Sequence, residues 1–206
     1  MSRKSPASPA VKSSDSYHHG DLRSALIAAA REALETMPPD QVTLKSLATR
    51  LGVSQPAPYR HFSNREALLA AVAADGFTRF RTALIASTED APPGEAFERS
   101  GLAYLQFGRE NMGVYRLMFA SKIPVTADDA ALEQAGTAAF NILLDSVEPH
   151  VPPGHAPVIA IWIWSTLHGL VMLEAEGLNS GPLHSVNPAD VIRQMARTFG
   201  QSRALS

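Results

Sequence analysis

The chain has 206 residues, of which 45% are hydrophobic and 18% are charged, and its formal net charge is −2. This composition is ordinary for a soluble globular protein and excludes a chain that is disordered along its whole length. The absence of cysteine excludes disulfides, thiol nucleophiles and thiolate metal sites. Residues 1–65 carry nine Lys/Arg and five Asp/Glu, whereas residues 66–206 carry nine and fifteen. Unless this division is chance, only the front of the chain is suited to a polyanionic partner.

Residues 1–16 are rich in Ser, Pro and Lys and contain no apolar stretch, so they predict a disordered tail and not a secretory signal. The lack of cysteine fits a reducing compartment but is compatible with any location; the location we expect is the cytoplasm. From here on the pattern is helical nearly throughout. Asp21 can cap a first helix that ends near Met37, and its apolar face consists of Leu22, Leu26, Ala29 and Ala33.

A second helix is predicted from the cap Thr43 to Gly52, since Leu44, Leu47, Ala48 and Leu51 recur at helical spacing. A turn and a third, short helix follow, which begins at about Ser54 or Gln55. Proline costs little in a first helical turn, so we expect Pro56 and Pro58 to stiffen the start and Tyr59 onward to be regular. This arrangement is typical of a helix-turn-helix, whose second helix enters the major groove of DNA.

The side chains of this stretch suit DNA. Gln55 matches adenine, Ala57 the thymine methyl group, and Arg60 guanine or a phosphate. Flanking polar and basic groups can bind phosphates, whereas Phe62 is expected in the core. The alternative is a three-helix bundle on which these residues are only surface. The candidate DNA contacts are Thr43, Lys45, Ser54, Gln55, Pro56, Ala57, Tyr59, Arg60, His61 and Arg65.

Further helices are predicted from Asn64 to about Ser87 and at about 95–109, 112–120, 127–148, 157–177 and 188–201. Residues 156–173 carry no formal charge over eighteen positions. A membrane-spanning helix needs about 20 mainly apolar residues. A helix that is apolar all round also serves a soluble protein when one side meets the core and the other a partner, and we favour that interpretation.

The segment "TLKSLATRLGVSQPAPYRHFSNREALL" resembles the DNA-binding head of the TetR family of bacterial transcriptional regulators. "YHHGDLRSALIAAA" at 17–30, "YRLMF" at 115–119 and "WSTLHGLVMLEAEG", with Trp164, His168 and Gly169, resemble one subgroup, which has a Trp-His-Gly motif in its C-terminal domain. Pro58 departs from the pattern, because most members carry an aliphatic residue there.

The resemblance implies an all-α homodimer in which a helix-turn-helix DNA-binding domain at 17–62 precedes a helical regulatory and dimerisation domain at 63–206. It further implies a palindromic operator and release by a small-molecule effector, most simply as a repressor. An activator or a regulator without a ligand remains an alternative. So does a helical protein that binds a partner or a membrane.

A ligand site in such a domain is expected to be mostly apolar. His168 is the best candidate for a polar anchor, unless a neighbour such as Glu174 already satisfies it. No H-E-x-x-H, G-x-S-x-G, phosphate loop or G-x-G-x-x-G occurs, so we expect no enzyme, metal or cofactor. The candidate ligand contacts are Tyr104, Phe107, Met118, Phe119, Phe140, Trp164, His168 and Met172.

Overall fold

The computed structural model describes residues 22–92, 94–120, 130–177 and 186–202, with side chains as far as residue 198. In these ranges the chain is all-helical and has no strand, which confirms the predicted fold class. The predicted tail and the cap Asp21 lie outside the described residues. The α-helices are α1 (Leu22–Leu34), α2 (Leu44–Arg50), α3 (Arg65–Thr88), α4 (Ala96–Glu110), α5 (Met112–Met118), α6 (Ala130–Val147), α7 (Ala156–Ala175) and α8 (Pro188–Ser202).

The ends of α2 are fixed by local signals. The Thr43 hydroxyl accepts a hydrogen bond from the Ser46 amide at 3.1 Å, and the Ser46 hydroxyl accepts one from the Thr43 amide at 3.2 Å. This reciprocal pair satisfies two amide donors at the start of the helix. At the other end Gly52 has a φ of 67°, and the Val53 amide donates to the Ala48 carbonyl at 3.0 Å. The predicted start and end of α2 are therefore confirmed.

The predicted regular helix after the turn is wrong. Ala57–Arg60 forms a four-residue 3-10 helix. The amides of Ala57, Tyr59 and His61 each donate to the carbonyl three residues earlier, at 2.9, 3.2 and 3.0 Å. Pro56 and Pro58 have no amide to donate, so the available donors close the shorter turns of a 3-10 helix. Pro58 is buried, which anchors this short element to the rest of the head.

The long helix α3 joins the head to the remaining helices. Its cap is Asn64, whose side-chain oxygen accepts from the Ala67 amide at 2.8 Å. Along its length α3 packs against α1, α4, α5 and α6, so that one continuous hydrophobic core runs through the molecule. Phe62 is 4% exposed and belongs to this core, as predicted.

Helix α7 is half core and half surface. By length and composition alone it could cross a membrane, with a mean hydropathy of 1.7. One stripe of it is buried in the protein's own core and consists of Ala156, Ala160, Ile163, Leu167 and Val171. Val171 packs directly on Gly108 of α4, where a β-carbon would lie 2.5 Å from its side chain. The helix is thus apolar all round, with one side in the core and large apolar residues on its outer side.

Candidate DNA-binding surface and regulatory cavity

The candidate DNA-binding surface is formed by the outer side of α2, the turn at Gly52 and the 3-10 helix. Seven of the ten predicted contacts are exposed, and Tyr59 is 57% exposed although it is aromatic. The other three, Ala57, His61 and Arg65, are half-buried. The exposed members are Thr43, Lys45, Ser54, Gln55, Pro56, Tyr59 and Arg60.

Some of these side chains already have partners within the head. The Thr43 hydroxyl is used in the cap of α2, and Gln55 donates from Nε2 to the Thr49 hydroxyl at 3.1 Å. Arg65 forms an ion pair with Glu66 at 3.0 Å. A hydrogen bond from its own backbone amide and then the bond from Arg65 hold the pKa of Glu66 below its usual value.

The other basic and aromatic groups are free to meet a ligand. Within the described residues, the side chains of Lys45, Tyr59, Arg60 and His61 make no hydrogen bond or ion pair. Thr49 was not among the predicted contacts; it lies on the exposed side of the last turn of α2 and contacts Gln55. Its helical spacing from Lys45 was the signal that could have identified it.

A second candidate site is a cavity of about 40 Å³ among α3, α4, α6 and α7. Three of the eight predicted ligand contacts, Tyr104, Phe140 and Trp164, line it. Its α3 wall was not predicted, because no local sequence pattern indicates which helices face each other. The complete lining is Phe77, Phe80, Leu84, Ser100, Tyr104, Gly136, Ala139, Phe140, Ile142, Leu143, Trp164 and Leu167.

The other predicted ligand contacts lie outside the cavity wall. Phe107 packs on Phe80, with ring centroids 5.1 Å apart, and Met118 is buried beneath Gly76. Phe119 packs edge-on against His168 at 4.8 Å. Met172 is half-buried against the same core. None of these five side chains, Phe107, Met118, Phe119, His168 and Met172, lines the cavity.

A chain of hydrogen bonds leads from the cavity wall to His168. Trp164 donates from Nε1 to the Tyr104 hydroxyl at 3.0 Å, and the hydroxyls of Tyr104 and Tyr115 are 3.0 Å apart. The Tyr115 hydroxyl lies 2.8 Å from Nδ1 of His168. Burial raises the pKa of both tyrosines and lowers that of His168. At neutral pH these groups are therefore uncharged. Every bond of the chain is satisfied when Tyr104 donates to Tyr115 and Tyr115 donates to Nδ1, in the His168 tautomer that carries its proton on Nε2.

The partner of His168 is thus Tyr115, not Glu174. Glu174 binds Arg109 in a two-pronged ion pair, with nitrogen–oxygen distances of 2.7 and 2.6 Å. No group of three or more His, Asp or Glu side chains in the described ranges could hold a metal ion.

Two protein families match the chain. Residues 26–72 match the family described as bacterial regulatory proteins, tetR family. Residues 97–199 match the family described as Tetracyclin repressor-like, C-terminal domain. The first match covers the candidate DNA-binding surface, and the second covers the cavity except for its α3 wall. A comparison with curated proteins gives no match.

Solved structures agree with these families. A protein with unknown function from Rhodococcus sp. RHA1 is 31% identical over 91% of this chain and 97% of its own, with a TM-score of 0.76. A tetR-family transcriptional regulator from Streptomyces coelicolor is 21% identical over 90% of this chain and 82% of its own, with a TM-score of 0.68. A putative transcriptional regulator from Pseudomonas aeruginosa PAO1 is 16% identical over 89% of this chain and 91% of its own, with a TM-score of 0.68. The last two likenesses concern the fold alone.

Proposed function

Because the chain belongs to the TetR family, whose members are transcription regulators and not enzymes, we propose that it binds a palindromic operator as a homodimer. A small-molecule effector releases it, so that in the simplest case it is a repressor in the cytoplasm. The domains of this proposal are a tail at 1–16, a DNA-binding domain at 17–62 and a regulatory domain at 63–206. Membership of the Trp-His-Gly subgroup stays a prediction.

The observation that carries DNA binding is the group of unpartnered side chains on the 3-10 helix and α2. An exposed tyrosine and arginine beside Lys45, none with a hydrogen bond or ion pair in the described residues, form a surface ready for phosphates and base edges. Because the 3-10 helix has only four residues, base contacts are confined to the stretch from Gln55 to Arg60. Arg65, His61 and Lys45 then bind the phosphates on either side.

The outer side of α7 supports the homodimer. Val158 is 72% exposed, Ile161 50%, Trp162 49% and Leu173 41%, although all four are large and apolar. At Gly169, on the same helix, a β-carbon would meet nothing within 4 Å, which leaves room for another helix to approach. We propose that α7 and α8 pack against their copies in a second chain. A two-fold dimer then presents two heads to half-sites one helical turn or a multiple apart.

The cavity supports an effector of limited polarity. Its walls are aromatic and aliphatic, and Ser100, Tyr104 and Trp164 carry its only polar side-chain groups. No charged side chain lines it, so a charged effector would lose its hydration without gaining a counter-ion. About 40 Å³ holds little more than a water molecule, so an effector must move the surrounding helices apart. A coupling of about 1–3 kcal/mol between the two sites is typical of such regulators.

Selection of random duplex DNA by the full-length protein, near physiological salt, tests the proposal. We expect an enriched palindromic motif and a dimer in solution. A folded dimer without any enriched motif contradicts sequence-specific binding. The exposed side of α7 would then favour the second candidate, a helical protein that binds another partner. A screen of uncharged compounds for release of the selected operator tests the effector.

A further inference from the structure

We infer that Thr49 positions Gln55 for reading adenine. Thr49 itself touches no base; it holds the Gln55 amide in one orientation through the bond to Nε2. The inference rests on the proposed function, because it requires that α2 and the 3-10 helix meet duplex DNA.

The hydrogen bonds around Thr49 determine which way the Gln55 amide points. The Thr49 hydroxyl donates its single proton to the Lys45 carbonyl, at an oxygen–oxygen distance of 3.2 Å. It can therefore only accept from Gln55. An amide oxygen facing Thr49 would leave two acceptors opposed, so the Gln55 nitrogen takes that place, and its distance to the hydroxyl is 3.1 Å. The orientation follows from donor and acceptor chemistry.

The backbone on both sides of Gln55 is fixed as well. On the N-terminal side the Gly52 amide donates to the Thr49 carbonyl at 3.2 Å, as part of the motif that ends α2. On the C-terminal side Pro56 has a φ of −76°, set by its ring. With the backbone held, the rotatable bonds of the Gln55 side chain are the main remaining freedom. The bond to Thr49 removes most of it.

The edge of Gln55 that remains free matches adenine. A primary amide nitrogen carries two hydrogens, and Thr49 uses one of them. The side-chain oxygen and the second hydrogen stay available. This donor–acceptor pair fits N6 and N7 of adenine in the major groove, whereas guanine presents two acceptors there. The exposure of Gln55 leaves the edge accessible to DNA.

Thr49→Val is the direct test, because valine has the shape of threonine but cannot accept a hydrogen bond. Thr49→Ser retains the hydroxyl and is the matched control. Gln55→Ala removes the amide and identifies the operator position that Gln55 reads. Dissociation constants are measured with full-length variants on the selected operator and on duplexes substituted at that position, at one salt concentration.

We expect Gln55→Ala to abolish the preference for adenine at one position of each half-site. Thr49→Val should weaken binding to the adenine-containing operator by about 3- to 10-fold, the effect of one lost hydrogen bond. It should leave the affinity for the substituted duplexes unchanged, and Thr49→Ser should retain the preference for adenine. In the Gln55→Ala background, Thr49→Val should have no further effect.

Three outcomes overturn the inference about Thr49 and leave the proposed function in place. They are an equal loss on all duplexes, an undiminished effect in the Gln55→Ala background, and a preference that does not change with Gln55→Ala. A wild-type pool without any enriched motif overturns the proposed function and this inference with it. The two failures are therefore distinguishable.

Discussion

Glu35, which directly follows α1, caps the start of α5. Its carboxylate accepts hydrogen bonds from the backbone amides of Gly113 at 3.1 Å and Val114 at 3.4 Å. The helix cap residue, Asn111, makes no side-chain bond of its own to these amides. The first turn of α5 is thus satisfied by a residue of the DNA-binding head. Since α5 carries Tyr115, this contact joins the head to the hydrogen-bonded chain beside the cavity.

Gly113 allows this contact to be close, and Gly113→Ala should destabilise the protein. A β-carbon there would overlap the backbone carbonyl of Leu34, which cannot turn aside as a flexible side chain could. We expect a loss of about 1–3 kcal/mol, as for other overpacked sites. Urea unfolding measures it. Gly136→Ala is the control, because its β-carbon would only reach ordinary contact distance from Phe77; an equal loss there contradicts the explanation.

Glu35→Gln should destabilise the protein less than removal of the side chain does, but more than a substitution elsewhere on the surface. Glutamine can still accept one hydrogen bond, but it loses the negative charge that favours a helix N-terminus. We expect a loss of about 0.5–1 kcal/mol for Gln and about 1–2 kcal/mol for Ala, as at other helix caps. Glu32→Gln is the control, since Glu32 only forms an exposed ion pair with Arg50, at 2.6 Å. The same loss in the control would show that the cap has no special role.

Tyr104→Phe should destabilise the core although it removes a single oxygen. It leaves Nε1 of Trp164 without its acceptor and Tyr115 without one of its two partners. A buried polar group left unpaired costs about 1–3 kcal/mol. Tyr59→Phe removes an exposed hydroxyl and should change stability by less than about 0.5 kcal/mol. Calorimetry on both variants checks this, and similar small effects would mean that water replaces the lost partner.

The parts of the fold that the sequence predicted well are those with local signals. Thr43 and Gly52 delimit α2 through bonds to residues a few positions away, so their types and spacing suffice. The 3-10 helix was not predicted, because Pro56 and Pro58 were each expected to fit the first turn of a regular α-helix. Together they remove the amide donors at alternate positions, and the amides of Ala57, Tyr59 and His61 between and after them close three-residue turns.

The cavity was harder to predict because it depends on packing between distant helices. Phe140 and Trp164 were found as aromatic residues on apolar helices, but Phe77 faces them only because α3 packs against α6. The partner of His168 shows the same limit. Glu174 is near it in sequence, whereas Tyr115 is 53 positions away and reaches it through the fold.

Binding assays should distinguish contacts to bases from contacts to phosphates. Arg60→Ala should cost about 1–3 kcal/mol on the selected operator and much less on random DNA, because Arg60 is placed to meet a base edge. Lys45→Ala should weaken binding to both DNAs alike, because Lys45 is expected at a phosphate. The slope of the logarithm of the binding constant against the logarithm of salt concentration should fall by about one. Titrations at several salt concentrations measure both effects. Equal losses of specific and non-specific binding for Arg60→Ala would move it to the phosphate-binding group.

The stability of the protein should depend on pH through His168. Its pKa is lowered in the fold because burial disfavours the charged imidazole, whose Nδ1 lies beside the Tyr115 hydroxyl. Between the folded pKa and the unfolded value of about 6.5, the unfolded chain binds more protons, so stability falls as the pH falls through this window. Urea unfolding from about pH 7.5 to 5.5 measures the loss.

His168→Asn is the matched variant for that measurement. Asparagine does not titrate, and its side-chain oxygen can accept from Tyr115 in the place of Nδ1. The acid-dependent loss of stability should therefore be smaller in the variant than in the wild type. Identical pH profiles would show that His168 stays protonatable in the fold without cost, because Tyr115 can reverse its hydroxyl toward Tyr104.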